Sequence, residues 1–487
     1  MPFKATQEQQ EIIDHVLNNN GLSAVNSVAG SGKTSLLVEI TKQLGADKSG
    51  IYLAYNKSIA TEAKSKFPKN ISCSTTHSLA FRAVIMPNKL TVTPFINYRD
   101  IIAPTLSSTE KYDVTEYIKA FCLSKHVTVE DYFKHEKINI KYMEAVQNYL
   151  TYMETGEYPC THDAYLKLFH LGLHYGKIEY DELDIILLDE AGDLNEVTLE
   201  IFKLLPAKKK IMVGDPHQNI YSFNYTINCF KKLHEKVRVF PMSQSFRVSA
   251  NIAEKIEKYC ATYLEPDFQF KGIETDGKII THAYITRTNA ELVSKMMELN
   301  SLGVQYGLVR RPDDIFALPL AMCSLQPGGF VKAKEYTFLQ DDVNRWGTSQ
   351  ELRATYKSPL AFIRETYKED IAIQISINLI LSKGAARLRA CHEEAKKHSF
   401  KRQSLILGTA HSTKGLEFDE VTIANDLNTN VSKYLGVASS VERTNELNLY
   451  YVACSRAKKQ LNNATVLDNI KEKKPTSVNV AEIDPNG

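Results

Sequence analysis

Apolar positions along this chain gather into short runs, each bounded by turn residues and followed by a stretch with helical spacing. The run Leu22 to Val28 reads as a buried strand. The segments "SGIYLAYN", "NISCSTTHS", "LDIILLDEA", "KKIMVGD", "KIITHAYITR", "QSLILGTAHS" and "DEVTIANDL" repeat the form. Continuous apolar runs alternating with helices suit strands covered on both faces, so the pattern predicts an α/β fold built on parallel sheets. Two stretches break the rhythm. Residues 83–180 are rich in Tyr, Lys, His and Glu at helical spacing, which predicts a helical insertion between two strands. Residues 310–358 carry Pro, Gly and the single tryptophan, Trp346, and are expected to depart from the second sheet. The polar ending "KEKKPTSVNVAEIDPNG" is expected to form a flexible tail over 471–487.

Composition narrows the classes. At 487 residues the chain is too long for one core, so two to four compact units are expected. A net charge of +2 does not announce a polyanion partner, and any nucleic-acid surface has to be a local groove. The eight cysteines are scattered without zinc-ligand spacing, which points to reduced thiols and a cytoplasmic setting. The opening "MPFKATQEQQ" lacks an apolar signal core, and no apolar run approaches membrane-spanning length, so no membrane partner is expected.

The chemistry starts directly after the first strand. In "NSVAGSGKTSLL" a turn holding Gly30 and Gly32 leads into a helix opened by Lys33 and Thr34. Strand, glycine turn and helix N-terminus in that order make a phosphate-binding loop. Backbone N–H groups from Ala29 through Ser35, with the helix dipole behind them, can cradle polyphosphate oxygens. Lys33 can reach the β- and γ-phosphates, and the Thr34 hydroxyl can ligate Mg²⁺. The strict motif wants Gly where Ser27 stands. In "DIILLDEAGD" an apolar strand delivers Asp189 as a second metal-holding group, with Glu190 placed to deprotonate the attacking water. "IMVGDPHQNIYSF" adds Gln218 as a candidate γ-phosphate sensor, and Tyr221 and Phe223 as candidate base-stacking aromatics. Arg247 and Arg456 are candidates to neutralise charge developing on the transferred phosphoryl group.

Together these segments resemble the superfamily 1A helicases of the UvrD/Rep/PcrA type. "ATQEQQEII" resembles their adenine-recognising motif, which implies that Gln9 reads the base. "LAYNKSIATEA" and "STTHSLAFR" resemble their early DNA-contacting motifs, which implies backbone contacts from Asn56, Lys57, Thr75, Thr76 and His77. "SQSFR", "ITRTNAE", "THSTKGLEFDEV" and "YYVACSRA" match later motifs in order. They imply that Phe246 stacks on adenine, Glu417 contacts the ribose, and Arg287 and His411 touch DNA. The wording is most similar to the F-box DNA helicase branch, in a form without the F-box. The implied layout is two RecA-like domains with ATP and Mg²⁺ between them. Domain 1A covers 1–82 and 181–276, interrupted by insertion 1B at 83–180. Domain 2A covers 277–309 and 359–470, interrupted by a reduced 2B insertion at 310–358. Three departures stand out: Gly192 where the family has Gln, Ser35 where an adenine-stacking Arg is usual, and Asn224 where an Arg often follows the aromatics.

The resemblance implies an ATP-dependent 3′→5′ translocase and helicase on single-stranded DNA and ss/ds junctions, in replication, recombination or repair, acting as a monomer. A single-strand binding protein or a recombinase would be its further partners. Two alternatives stay open here: a translocase that mainly displaces DNA-bound proteins, and a nucleotide-gated DNA-binding module with weak hydrolysis.

Overall fold

The computed structural model describes residues 3–220, 227–233, 237–275, 277–333, 336–368, 370–398 and 403–470. The first sheet runs in the order β3-β2-β6-β7-β1-β8, all parallel. Its strands are β1 (Gly21–Ser27), β2 (Gly50–Leu53), β3 (Ile71–Ser74), β6 (Leu183–Leu188), β7 (Ala207–Gly214) and β8 (Arg238–Met242). Between β3 and β6 lies a short ladder of β4 (Val92–Thr93) and β5 (Cys160–Thr161). Strand periodicity explains why the runs are apolar throughout. Ile185 and Leu187 of β6 pack with Ile12, Leu36 and Ile40 of the helices Gln7–Asn18 and Lys33–Leu44. Ile186 and Leu188 face the other way, into a core shared with Phe169 and Leu166 of the helix His162–His174. Both faces are dry, as a parallel sheet requires.

The second sheet has the order β12-β13-β11-β14-β15, again all parallel. It comprises β11 (His282–Thr286), β12 (Gly307–Leu308), β13 (Leu405–Thr409), β14 (Phe418–Ile423) and β15 (Ala457–Asn462). Two strands, β9 (Gln244–Ser249) and β10 (Lys271–Ile273), pair beside the sheets.

Two expected boundaries differ from the observed packing. The helix Ala250–Tyr263, with Phe268 and Phe270, buries Ile252, Ile256 and Tyr259 among Ala283, Ile285 and Val421 of the second sheet. The first sheet ends at Met242, so 248–270 packs with the second half, not with 181–276 as expected. The second insertion is also longer than 310–358. Helices Pro312–Met322, Thr337–Thr348, Gln350–Thr355, Pro359–Thr366, Ile371–Lys383 and Ala385–Ala395 fill the space between β12 and β13, and the sheet resumes only at Leu405. Their core joins Phe316, Leu339, Ile363 and Leu388 to Leu407 of β13. The two helical insertions also meet: Tyr98 and Arg99 bond Asp341, and the Tyr112 and Phe338 rings lie 5.0 Å apart. Among the described residues no helix is long and apolar enough to cross a membrane.

Candidate nucleotide site and its surroundings

The phosphate loop forms as its sequence requires. Gly30 and Gly32 adopt φ of +75° and +80°, the left-handed region that favours glycine. Gly32 caps the helix Lys33–Leu44 without a side-chain hydrogen bond, so the first-turn N–H groups are left for a ligand. Close by, the Ser31 hydroxyl and Arg247 Nε are buried without a partner. Orphaned donors around a bare helix N-terminus are the complement of a polyphosphate.

The acid pair emerges where β6 stops. Asp189 Oδ2 accepts hydrogen bonds from Tyr52 OH at 2.7 Å and from Thr34 Oγ1 at 3.2 Å. Burial, with Glu190 alongside, raises the Asp189 carboxyl above its ordinary range. Thr34 and Asp189 thus offer two hard oxygens at one point. Among the described residues no three His, Cys, Asp or Glu side chains cluster as an all-protein metal cage. One hydroxyl and one carboxylate suit Mg²⁺, which draws its remaining ligands from phosphates and water. Glu190 sits at φ +53°, an uncommon conformation for a long side chain, and its Oε1 lies 3.8 Å from Lys33 Nζ. Burial pushes the Glu190 carboxyl up, but the combined pull of Lys33, Lys414, Arg456 and Arg247 outweighs it and holds the group below its usual value.

The arginines come from across the seam. A Cβ placed on Gly30 would lie 2.7 Å from Arg247 Cβ and 3.1 Å from its Nε, so Arg247 lies directly on the phosphate loop. Its Nη1 pairs with Glu417 at 3.4 Å. Arg456 follows the helix Val441–Cys454, one residue past its capping Ser455, and is only 1% exposed. It donates to the Val452 carbonyl at 2.9 Å, the Leu416 carbonyl at 3.3 Å and Ser455 Oγ at 2.9 Å. Burial and the neighbouring Arg247 lower it to about 10.

A polar relay ties the two halves together. The Ala29 N–H donates to Tyr451 OH at 3.3 Å, and that hydroxyl donates to Asp215 Oδ2 at 2.6 Å. The same oxygen accepts from Gln218 Nε2 at 2.7 Å. The Gln218 carbonyl accepts from Lys414 Nζ at 2.5 Å, and Lys414 also pairs with Asp193. Gly192 is tightly packed: a Cβ there would lie 2.3 Å from the Asp215 carbonyl oxygen. Gly214 backs onto the same turn, where a Cβ would meet the Gly192 nitrogen at 2.6 Å. The absent glutamine therefore has no room in this arrangement.

The residues expected at DNA are dispersed in their roles. Asn56 and Lys57 are exposed after β2, with Asn56 capping the helix Lys57–Ala63. Thr75 and Thr76 are buried, and Thr75 caps the next helix through the Ser78 N–H. His77 is lowered to about 4 by burial and the neighbouring His162. His411 is lowered to about 4 by burial and Arg287. Arg287 is held by Glu446 at 2.5–3.2 Å, so its guanidinium is already committed. Tyr221, Phe223 and Asn224 lie outside the described residues.

Sequence reasoning missed Tyr55, which is 47% exposed beside Asn56 and lines a cavity of about 390 Å³ with Thr76, His77, Asp189 and Asp193. Its signal was its place inside "LAYNKSIATEA". Tyr52, Asp193, Asp215, Lys414 and Tyr451 were missed because only tertiary packing reveals them.

Two parallel sheets with a phosphate loop on one and arginines from the other define a P-loop protein with paired RecA-like halves. Family models match in two places: an AAA domain at residues 9–224, and the UvrD-like helicase C-terminal domain at 331–465. Together these matches support a superfamily 1A, UvrD-like helicase. It is 25% identical over 532 residues to F-box DNA helicase protein 1 of Schizosaccharomyces pombe, covering 94% of this chain and 57% of the relative. F-box DNA helicase 1 of Gallus gallus is 25% identical over 517 residues, covering 94% and 49%. RecBCD enzyme subunit RecB of Borreliella burgdorferi is 30% identical over 147 residues, covering 25% and 13%. The chain spans about half the length of its F-box helicase relatives.

Proposed function

We propose that this protein is an ATP-driven motor that translocates 3′→5′ on single-stranded DNA and unwinds duplex at ss/ds junctions. One observation supports it above all: Lys33, Glu190 and Arg247 gather on the phosphate loop, with Arg456 close enough to pull on Glu190 electrostatically. In this reading the two sheets are 1A and 2A, and the helices of 83–180 and 312–395 are 1B and 2B.

Magnesium, held by Thr34 and Asp189, would supply charge neutralisation at the β- and γ-phosphates. The protein's own groups do the rest. Lys33 now faces Glu190; phosphates compete for it, and losing that cation raises the basicity of Glu190 toward the attacking water. Arg247 and Arg456 belong mainly to the second half, so charge developing on the γ-phosphoryl group draws the halves together. Gln218 senses that change and passes it through Asp215 and Tyr451. Exposed Asn56 and Lys57, with Tyr55 and His77, grip the strand.

The test is ATPase activity with and without single-stranded oligonucleotide, beside unwinding substrates bearing only 3′ or only 5′ tails. Strong stimulation and unwinding from 3′ tails are expected. An unstimulated rate, or unwinding from 5′ tails alone, would refute the proposal.

A further inference from the structure

A cavity of about 740 Å³ opens at the seam between the halves, beside the helix Val441–Cys454. Asn26, near the end of β1, lines it together with Asn228 and Phe230. Val441, Thr444 and Asn448 line it from the helix, and their spacing of three and four residues puts them on one stripe. Glu446, which holds Arg287, falls on another face of that helix. The cavity is therefore apart from Arg287, and Lys33, Glu190, Arg247 and Arg456 do not line it.

Asn448 is only 3% exposed. Its Nδ2 donates to the Asn219 carbonyl at 3.1 Å, whereas its Oδ1 is buried with no partner among the described residues. A buried acceptor in that state calls for a donor from whatever fills the cavity. Asn26, Asn228 and Asn445 bring further amides to the wall. Two groups of opposite charge also line it. The Glu265 carboxylate meets His217 Nε2 at 2.8 Å, and Arg443 donates through Nε to the Tyr434 carbonyl at 3.1 Å. Carboxylate and guanidinium balance, so the wall suits an uncharged molecule. Phe230 and Tyr263 add aromatic faces. A nucleobase is flat, uncharged and amide-edged; it stacks on aromatic rings and pairs its edge with asparagine amides.

We propose that this seam cavity is a second ligand site, distinct from the phosphate loop, which seats a nucleobase between the two halves. A free nucleoside and an unstacked base of a bound strand carry the same chemistry to it. The site uses no phosphate, so it stands or falls separately from the motor reading above.

The experiment is calorimetric titration of adenosine, guanosine, cytidine and uridine into the whole protein, with the phosphate loop filled by saturating Mg-ADP. One-to-one binding of at least one nucleoside is expected. Asn448→Leu and Asn26→Leu, on opposite walls, should each weaken it by about tenfold, the effect of losing one buried hydrogen bond. Asn26→Leu keeps the buried bond between Asn448 and Asn219, so it decides the matter even if Asn448→Leu fails to fold. Binding of none of the four means a cleft that holds solvent only, and overturns the proposal. Binding that Asn26→Leu leaves unweakened overturns it too, because the nucleoside then sits elsewhere. Repeating the titration with saturating oligo(dT) separates the two sources. A raised nucleoside Kd shows that the strand seats its own base in the cavity, and an unchanged Kd assigns the cavity to the free nucleoside.

Discussion

At the level of single side chains, the sharpest expectation concerns Glu190. Glu190→Gln keeps the shape and removes the base, so single-stranded-DNA-stimulated kcat should fall by about 10²–10⁴ with nucleotide affinity retained. Lys33→Ala should lose both, because the cation serves ground state and transition state alike. Steady-state ATPase and nucleotide titration separate the two outcomes. Gly192 makes the second prediction. A methyl group there collides with the Asp215 carbonyl, so Gly192→Ala should destabilise by about 1–3 kcal/mol, seen as a lower thermal midpoint. The phosphate loop and Asp189 were legible because their chemistry depends on local spacing: glycines, Lys33 and Thr34 within one turn, and an acid at a strand end. The partners of Gln9 and Arg287 were not. Ser31 and Glu446 are remote in sequence, and nothing in a motif names the group that an amide or guanidinium meets.

Among the elements, the helix Val441–Cys454 has two tasks. Its Tyr451 hydroxyl joins the phosphate loop to Asp215, and its C-terminus leads directly into Arg456. Tyr451→Phe strips one partner from a buried carboxylate and from the Ala29 N–H. It should cost about 1–3 kcal/mol in denaturant unfolding and reduce the stimulation of ATPase by DNA. The sheets were readable from their apolar runs, whereas the second insertion was not. Pro319 lies inside the helix Pro312–Met322, where proline normally argues for irregular chain. The run "IAIQISINLILSK" forms the helix Ile371–Lys383, although a short continuous apolar stretch fits a buried strand equally well.

For the whole molecule, protonation and salt give two measurements. Burial lowers His77 and His411 to about 4 and His170 to about 3, all below the ordinary 6.5. Between those values the unfolded chain binds more protons than the folded one. Stability should therefore hold above pH 6.5 and fall as pH drops toward 4, by about 1.4 kcal/mol per pH unit for each histidine. Urea midpoints at pH 7.5 and 4.5 check the sign. Affinity for single-stranded DNA should fall linearly on a log–log plot against salt, with a slope of about −0.7 per phosphate contacted. A net charge of +2 means that this slope reports a local groove, so Lys57→Ala should make it measurably shallower.

The back-to-back placement of Gly192 and Gly214 also bears on how this lineage can change. A side chain on Gly192 would run into the Asp215 backbone, and one on Gly214 would run into the backbone of Ala191 and Gly192, so neither turn can acquire a side chain while the other stays in place. An ancestor with a glutamine at 192 would have needed these turns farther apart. Once they had closed, reversion by one substitution would be sterically barred, and the route back would require the whole turn to be rebuilt first.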